Sequence, residues 1–375
     1  MTREHPAPVD GPVLLSGLDD LLAALRSDGR TVIGPTVRGH AIVLAEIDSA
    51  AQLPYGWRTE VEAGTYRLRR GDERRAFTHT SGPQSWKQVL HPPRQALWSA
   101  DRTEDGFRVT DEAPQPRRLA LFGVRPCDLR AIGVLDHVLG DGGRYAARRA
   151  DIMIVAVNCT EPGGACFCVS AGGGPRAGAG HDIVLTERPD GTYLAAGATA
   201  GGEAVLARVP STPAADADVA SEAAAVASAA ARMGRTLPEA DLRTLLAGHR
   251  EDPQWDDVAQ RCLACGNCTM VCPTCFCTSV TDTTDLTGEH AERWQSWESC
   301  FDLDFSYLHG GPVRDSRRGR YRQWLTHKFG TWHDQFGESG CVGCGRCIAW
   351  CPVGIDVTAE LHALDAHPAT TGDSP

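Results

Sequence analysis

Lysine is almost missing from this chain: of its 37 basic residues only Lys87 and Lys328 are not arginine. That bias, together with high alanine and glycine, reads as composition and carries no mechanism. Long uncharged apolar runs are absent too. The opening stretch from Met1 to Asp20 is interrupted by Arg3, Glu4, Asp10, Asp19 and Asp20, and no later segment is apolar enough to span a bilayer. A soluble, cytoplasmic protein is the expectation, with no membrane partner. A net charge of −11 disfavours a nucleic-acid or anionic-membrane surface, while suiting a basic face on a redox partner. No strand is followed by G-x-G-x-x-G and no phosphate-binding P-loop occurs, so a dinucleotide site of the usual kind is not visible. No helix-turn-helix output module stands out, which weighs against a cluster-based redox sensor.

What the chain has is cysteine, 15 in 375 residues, and eight of them repeat one pattern. Cys262-x₂-Cys265-x₂-Cys268-x₃-Cys272-Pro273 is matched by Cys341-x₂-Cys344-x₂-Cys347-x₃-Cys351-Pro352. This spacing is the bacterial 4Fe-4S signature, in which three close thiolates hold one cube and the fourth reaches the other cube. Two-residue gaps aim successive sulfurs at different irons, with Gly266 and Gly345 relieving backbone crowding near the inorganic sulfides. A helical turn after the third cysteine carries the fourth sulfur away. The expected partition is therefore crossed: Cys262, Cys265, Cys268 and Cys351 around cluster 1, and Cys341, Cys344, Cys347 and Cys272 around cluster 2. Structural zinc closes with four ligands and does not need the duplication. Disulfides do not suit a chain without secretory features.

The length predicts two domains: an N-terminal mixed α/β domain over 1–250, and over 251–366 a ferredoxin-like domain with two 4Fe-4S clusters and a long insert between its motifs. A disordered tail, 367–375, completes the α+β and α/β arrangement. The opening region up to about 115 is strand-rich, with Thr31–Pro35 and Ala41–Leu44 as short strands. Leu119–Val124 and Ile152–Val157 read as buried strands flanking a helical Leu129–Leu135. Pro213 to Arg232 reads as an alanine-rich surface helix, acidic at its start and basic at its end.

If those two strands are parallel neighbours, Cys127 and the Cys159, Cys166 and Cys168 loop leave the same sheet edge, where α/β proteins place their sites. The four thiols are then a candidate third metal or cluster site, weighed against four small buried hydrophobes. Cys275, Cys277 and Cys300 stay unassigned. Cys275-Phe276-Cys277 echoes Cys166-Phe167-Cys168, so an alternative third site draws on both halves. In the insert, Trp294, Trp297, Phe301, Phe305 and Tyr307 read as a cover over the clusters. Arg314, Arg317, Arg318, Arg320 and Arg322 read as a solvated face or an acidic-partner dock. Asp128, Glu161 and Lys87 could serve as acid or base, but capping or surface contacts explain each, and no catalytic residue is nominated.

Several stretches resemble one family: Val32–Pro35, Ser85-Trp86-Lys87, Gly123–Asp128, Asn158-Cys159-Thr160, Cys166-Phe167-Cys168, Cys272–Cys277 and His327-Lys328-Phe329, together with the second motif. They are similar to the beta subunit of cytoplasmic sulfhydrogenase-type NiFe hydrogenases and to the corresponding iron–sulfur subunit of anaerobic sulfite reductase. The resemblance implies an electron-transfer subunit with two ferredoxin-type clusters, beside a flavin subunit that handles NAD(P)H. Catalysis would then occur in a hydrogenase or sulfite reductase subunit elsewhere in the complex. The rival reading is a self-contained iron–sulfur oxidoreductase with flavin or substrate at the Cys127 and Cys159 edge.

Overall fold

The computed structural model describes residues 11–71, 75–114 and 117–369. Its centre is an eight-stranded mixed sheet. From one edge to the other the strands are 212–213, 13–15, 193–197, 183–187, 152–157, 119–124, 31–38 and 41–46. The four strands 183–187, 152–157, 119–124 and 31–38 run parallel to their neighbours, as in Leu119 opposite Ile152 and Ile183 opposite Val155. The two central strands are buried at every position, the mark of a parallel sheet covered on both faces. Their side chains alternate. Ala120, Phe122, Val155 and Val157 join one core with Leu21, Leu22 and Leu25; Leu121, Ile154 and Ala156 join another with Leu129, Ile132 and Leu135.

The helix Pro126–Leu139 follows the strand Leu119–Val124 directly, with proline in its first turn where no backbone N–H is needed. Leu129, Ile132 and Leu135 turn to the sheet, while Ala131 and Val134 pack on Trp332 and Val342 beside the second cysteine motif. One helix therefore couples the sheet edge to the cysteine-rich segment. An ion pair ties the same join: Arg346 meets Asp128 at 2.8 and 2.9 Å, both side chains buried, and its Nε donates to the Gly82 carbonyl.

The insert between the motifs is partly sheet. Thr278–Thr284 and His290–Trp297 form a hairpin, and the second strand pairs with Arg94–Thr103, which pairs in turn with Gly106–Asp111. Residues from both sides of the anticipated 250/251 boundary thus share one four-stranded sheet. This pairing also revises the aromatic cover. Trp294 lies under Arg94 and Trp297 under Lys87, both on the sheet; Phe305 lines a different cavity and Tyr307 is exposed, leaving Phe301 to wall the first motif. The arginine run is not a free basic face. Arg318 and Arg322 pair with Glu251, Arg320 is buried against the Phe301 carbonyl, and Arg317 donates to the Cys262 carbonyl.

The alanine-rich helix spans Asp216–Ala231 and is mostly exposed, anchored by Glu222 accepting from Asn158 and Arg176. Of the anticipated tail, His367 is held by Asp252, and residues 370–375 lie outside the described residues.

Candidate metal centres

Both motifs build the same local structure. Gly266 and Gly345 sit at φ +70° and +74°, each opening a one-turn helix that carries the third cysteine, Cys268 or Cys347. Protein neighbours alone already require glycine at both positions. An added Cβ would sit 2.8 Å from Ser299 Oγ at Gly266 and 2.3 Å from the Ala165 carbonyl at Gly345. The helical turn then sends each fourth cysteine away. Cys351 lines a cavity with Cys262, Cys265 and Cys268, walled by Phe301, Tyr321, Trp324 and Ile355, and Cys347 lines it too.

Cys341, Cys344, Cys347 and Cys272 neighbour one another. Burial first, opposed by Lys328, and then the charge of Cys344 and Cys272 push the Cys341 thiol up to about 12; burial and the same neighbours raise Cys347. Buried thiols of this kind suit a metal that takes them as thiolates. Backbone N–H groups already point at several: Ala264 to Cys262 at 3.3 Å, Gly343 to Cys341 at 3.4 Å and Ile355 to Cys351 at 3.3 Å. Tyr321 Oη and Trp324 Nε1 are buried donors with no acceptor among the described residues, on residues that wall the Cys262 cavity, where sulfide or thiolate sulfur would receive them. The donor set fits 4Fe-4S clusters. Among the described residues no three His, Cys, Asp or Glu side chains gather in a way that could hold a single metal ion.

The N-terminal thiols also converge. Cys127, in the first turn of its helix, and Cys159, just past the strand Ile152–Val157, line one cavity with Cys166 and Cys168. Cys344 of the second motif lines it too. The loop from Ala165 to Cys168 lies directly on that motif: Phe167 N donates to the Gly343 carbonyl, and a Cβ on Gly343, at φ +67°, would be 2.5 Å from the Cys168 Cα. Gly163 N–H points at Cys166 Sγ at 3.4 Å, and Cys168 Sγ lies 3.9 Å from Met233 Sδ. Burial pushes Cys166 and Cys168 up to about 12. Cys275, Cys277 and Cys300 line a separate cavity of ≈ 230 Å³ with Lys328 and Trp332, so the two Cys-Phe-Cys stretches do not share a space.

Residues 261–355 match the 4Fe-4S dicluster domain. The chain is also 32% identical over 293 residues to sulfhydrogenase 2 subunit beta of Pyrococcus furiosus, across 77% of this chain and 84% of that protein. The chain belongs to the sulfhydrogenase beta subunit family. No solved structure matches it. Among the described residues no helix is long and apolar enough to cross a membrane.

In this beta-subunit relative, residues that motif spacing did not point to lie beside the cysteines. Both lysines are buried beside cysteines. Lys328, on a single π-helical turn His327–Thr331, puts Nζ 3.4 Å from Cys272 Sγ, 2.9 Å from Thr274 Oγ1 and 3.0 Å from the Gly340 carbonyl. Burial alone would lower Lys328, but the charge of Cys272, then of Cys275 and Cys341, holds it well above the ordinary lysine range. Lys87 donates to the Cys275 carbonyl at 2.9 Å, and burial pulls it below that range. A hydrogen bond from Cys275, then the two ammonium charges, hold Cys272 low against its burial. The scarcity of lysine was the available signal. Arg125 and His79 wall the third cavity without any spacing to betray them; Arg125 Nη1 lies 3.7 Å from Cys159 Sγ. Burial, then the Arg125 charge, push His79 down to about 3, so its ring is neutral. Asp128 is spent on Arg346, Glu161 pairs with Arg75 and Arg232, and Lys87 faces Trp297.

Proposed function

We propose that this chain is a cytoplasmic iron–sulfur relay between a flavin subunit that handles NAD(P)H and a hydrogenase catalytic subunit. One 4Fe-4S cluster is held by Cys262, Cys265, Cys268 and Cys351, a second by Cys341, Cys344, Cys347 and Cys272, and a third by the thiols at the sheet edge. The observation that carries the reading is the shared lining. Cys351 stands with the first motif, Cys347 borders that same cavity, and Cys344 borders the cavity of Cys127, Cys159, Cys166 and Cys168. The centres therefore line up with the second motif in the middle.

A bound cluster takes up and returns one electron at a time. The chain supplies the rest. Lys328 and Lys87 keep positive charge beside Cys272 and Cys275, backbone N–H groups fix the sulfurs, and Phe301, Tyr321 and Trp324 wall the first motif, whose Cys265 is exposed.

The test is iron and sulfide content with single cysteine variants of the anaerobically purified chain. About twelve irons are expected, and about eight would remove the third site. Cys351→Ser and Cys265→Ser should abolish the same spectroscopic signal, and Cys272→Ser and Cys344→Ser the other. A signal lost by both Cys351→Ser and Cys344→Ser would refute the exchange. Turnover of NAD(P)H by the isolated chain would refute the relay in favour of a self-contained oxidoreductase.

A further inference from the structure

We propose that His79 is a ligand of the third centre, binding through Nε2 with three of the four thiols Cys127, Cys159, Cys166 and Cys168. The inference rests on the proposed third site and adds to it a donor that no cysteine spacing could announce.

His79 is 5% exposed, and its Nδ1 lies 3.1 Å from the Thr80 carbonyl. A carbonyl oxygen can only accept, so Nδ1 carries the proton, and in the neutral ring Nε2 is left as a bare lone pair. That Nε2 is buried and has no partner among the described residues, while the ring lines the same cavity as the four cysteines. An acceptor buried unpaired is unfavourable, and native proteins seldom leave one so. A donor from Nδ1 to a backbone carbonyl is also how proteins fix the tautomer and aim of a metal-bound histidine.

The segment that carries His79 is held rigidly for this purpose. Arg125 Nη2 donates to both the Phe77 and His79 carbonyls at 2.7 Å, Thr80 N donates to Thr59 Oγ1 at 2.9 Å, and Ala76 and Phe77 N–H groups are taken by buried Glu187. Arg125 thus braces the histidine backbone with one nitrogen while its other reaches toward Cys159 Sγ. Five candidate donors face one space and a cube takes four, so one thiol stands outside the ligand set. An imidazole replacing a thiolate leaves the centre one unit less negative and raises its potential above that of an all-thiolate cube, as histidine ligation does in Rieske centres. The third centre would then be the end of the row at which electrons collect.

The experiment uses the full chain, purified anaerobically, with iron counted and with heavy-nitrogen-labelled histidine. Pulsed paramagnetic resonance of the reduced protein should show one directly bound histidine nitrogen. In His79→Cys that coupling should vanish with about twelve irons retained, and the midpoint of the affected centre should move negative. The wild-type measurement needs no variant to fold. About twelve irons without a bound nitrogen, or a coupling that persists in His79→Cys, would overturn the histidine ligand and leave the third centre standing. About eight irons would overturn the third centre and the ligand with it.

Discussion

Replacing Lys328 by methionine tests the electrostatics of the second motif directly. Lys328 is 4% exposed and its Nζ lies 3.4 Å from Cys272 Sγ, so solvent screens it little. Taking about 6 Å between Nζ and the centre of an added electron, and an effective dielectric of about 20, Coulomb's law gives about 3 kcal/mol. For one electron this is a fall of about 120 mV in midpoint potential. Methionine fills much the same volume, and Thr274 keeps its donation to the Gly340 carbonyl at 2.6 Å, so the fold has a reason to survive. The assay is an anaerobic redox titration followed by paramagnetic resonance, with Lys328→Arg as the charge-keeping control. One centre should move and the others should stay within about a quarter of that shift, since charge falls off with distance. A Lys328→Met protein with full iron content and unmoved midpoints would refute the assignment of Cys272 to a cluster beside this charge.

Trp324→Phe and Tyr321→Phe each remove a buried, unpartnered donor from a residue that lines the Cys262 cavity. Each should lower the midpoint of that centre by about 60 mV if roughly 1.4 kcal/mol of redox-dependent hydrogen bonding is lost, as read by the same titration. Asp128→Asn strands the buried Arg346 charge and should cost about 3–5 kcal/mol in anaerobic chemical denaturation of the loaded chain; a loss below about 1 kcal/mol would show that the pair does not hold the helix Pro126–Leu139 to the second motif. Gly345→Ala meets both φ +74° and the Ala165 carbonyl, so iron bound by the purified protein should drop. Gly133→Ala, with open space around it in the middle of a helix, is the control that should keep its iron.

The parts of this protein that were readable from sequence are those with local periodicity. Leu119–Val124 and Ile152–Val157 are continuous apolar runs because both faces of a parallel sheet are covered, and their shared edge brings Cys127 and Cys159 together as the pattern implied. The glycine and helical turn of each motif were equally legible. Contacts made across long separations were not. His290–Trp297 pairs with Arg94–Thr103 nearly two hundred residues earlier, and nothing in its polar, aromatic sequence says which strand it joins. His79 belongs to an irregular segment positioned by Arg125 and Glu187, residues remote in sequence, so its place among the thiols is purely tertiary. The arginine run looked like a surface because charge patterning does not reveal partners such as Glu251 or the Phe301 carbonyl.

The four-stranded sheet built from both halves has a practical meaning for anyone wishing to transplant the cysteine-rich portion as a minimal electron module. Cutting the chain near 250 would strip the hairpin of its neighbour, baring the N–H and C=O groups of His290–Trp297 along with Trp294 and Trp297. Such an edge recruits other chains. A fragment intended to remain monomeric would have to carry residues 94–111 with it, or replace them by a designed strand.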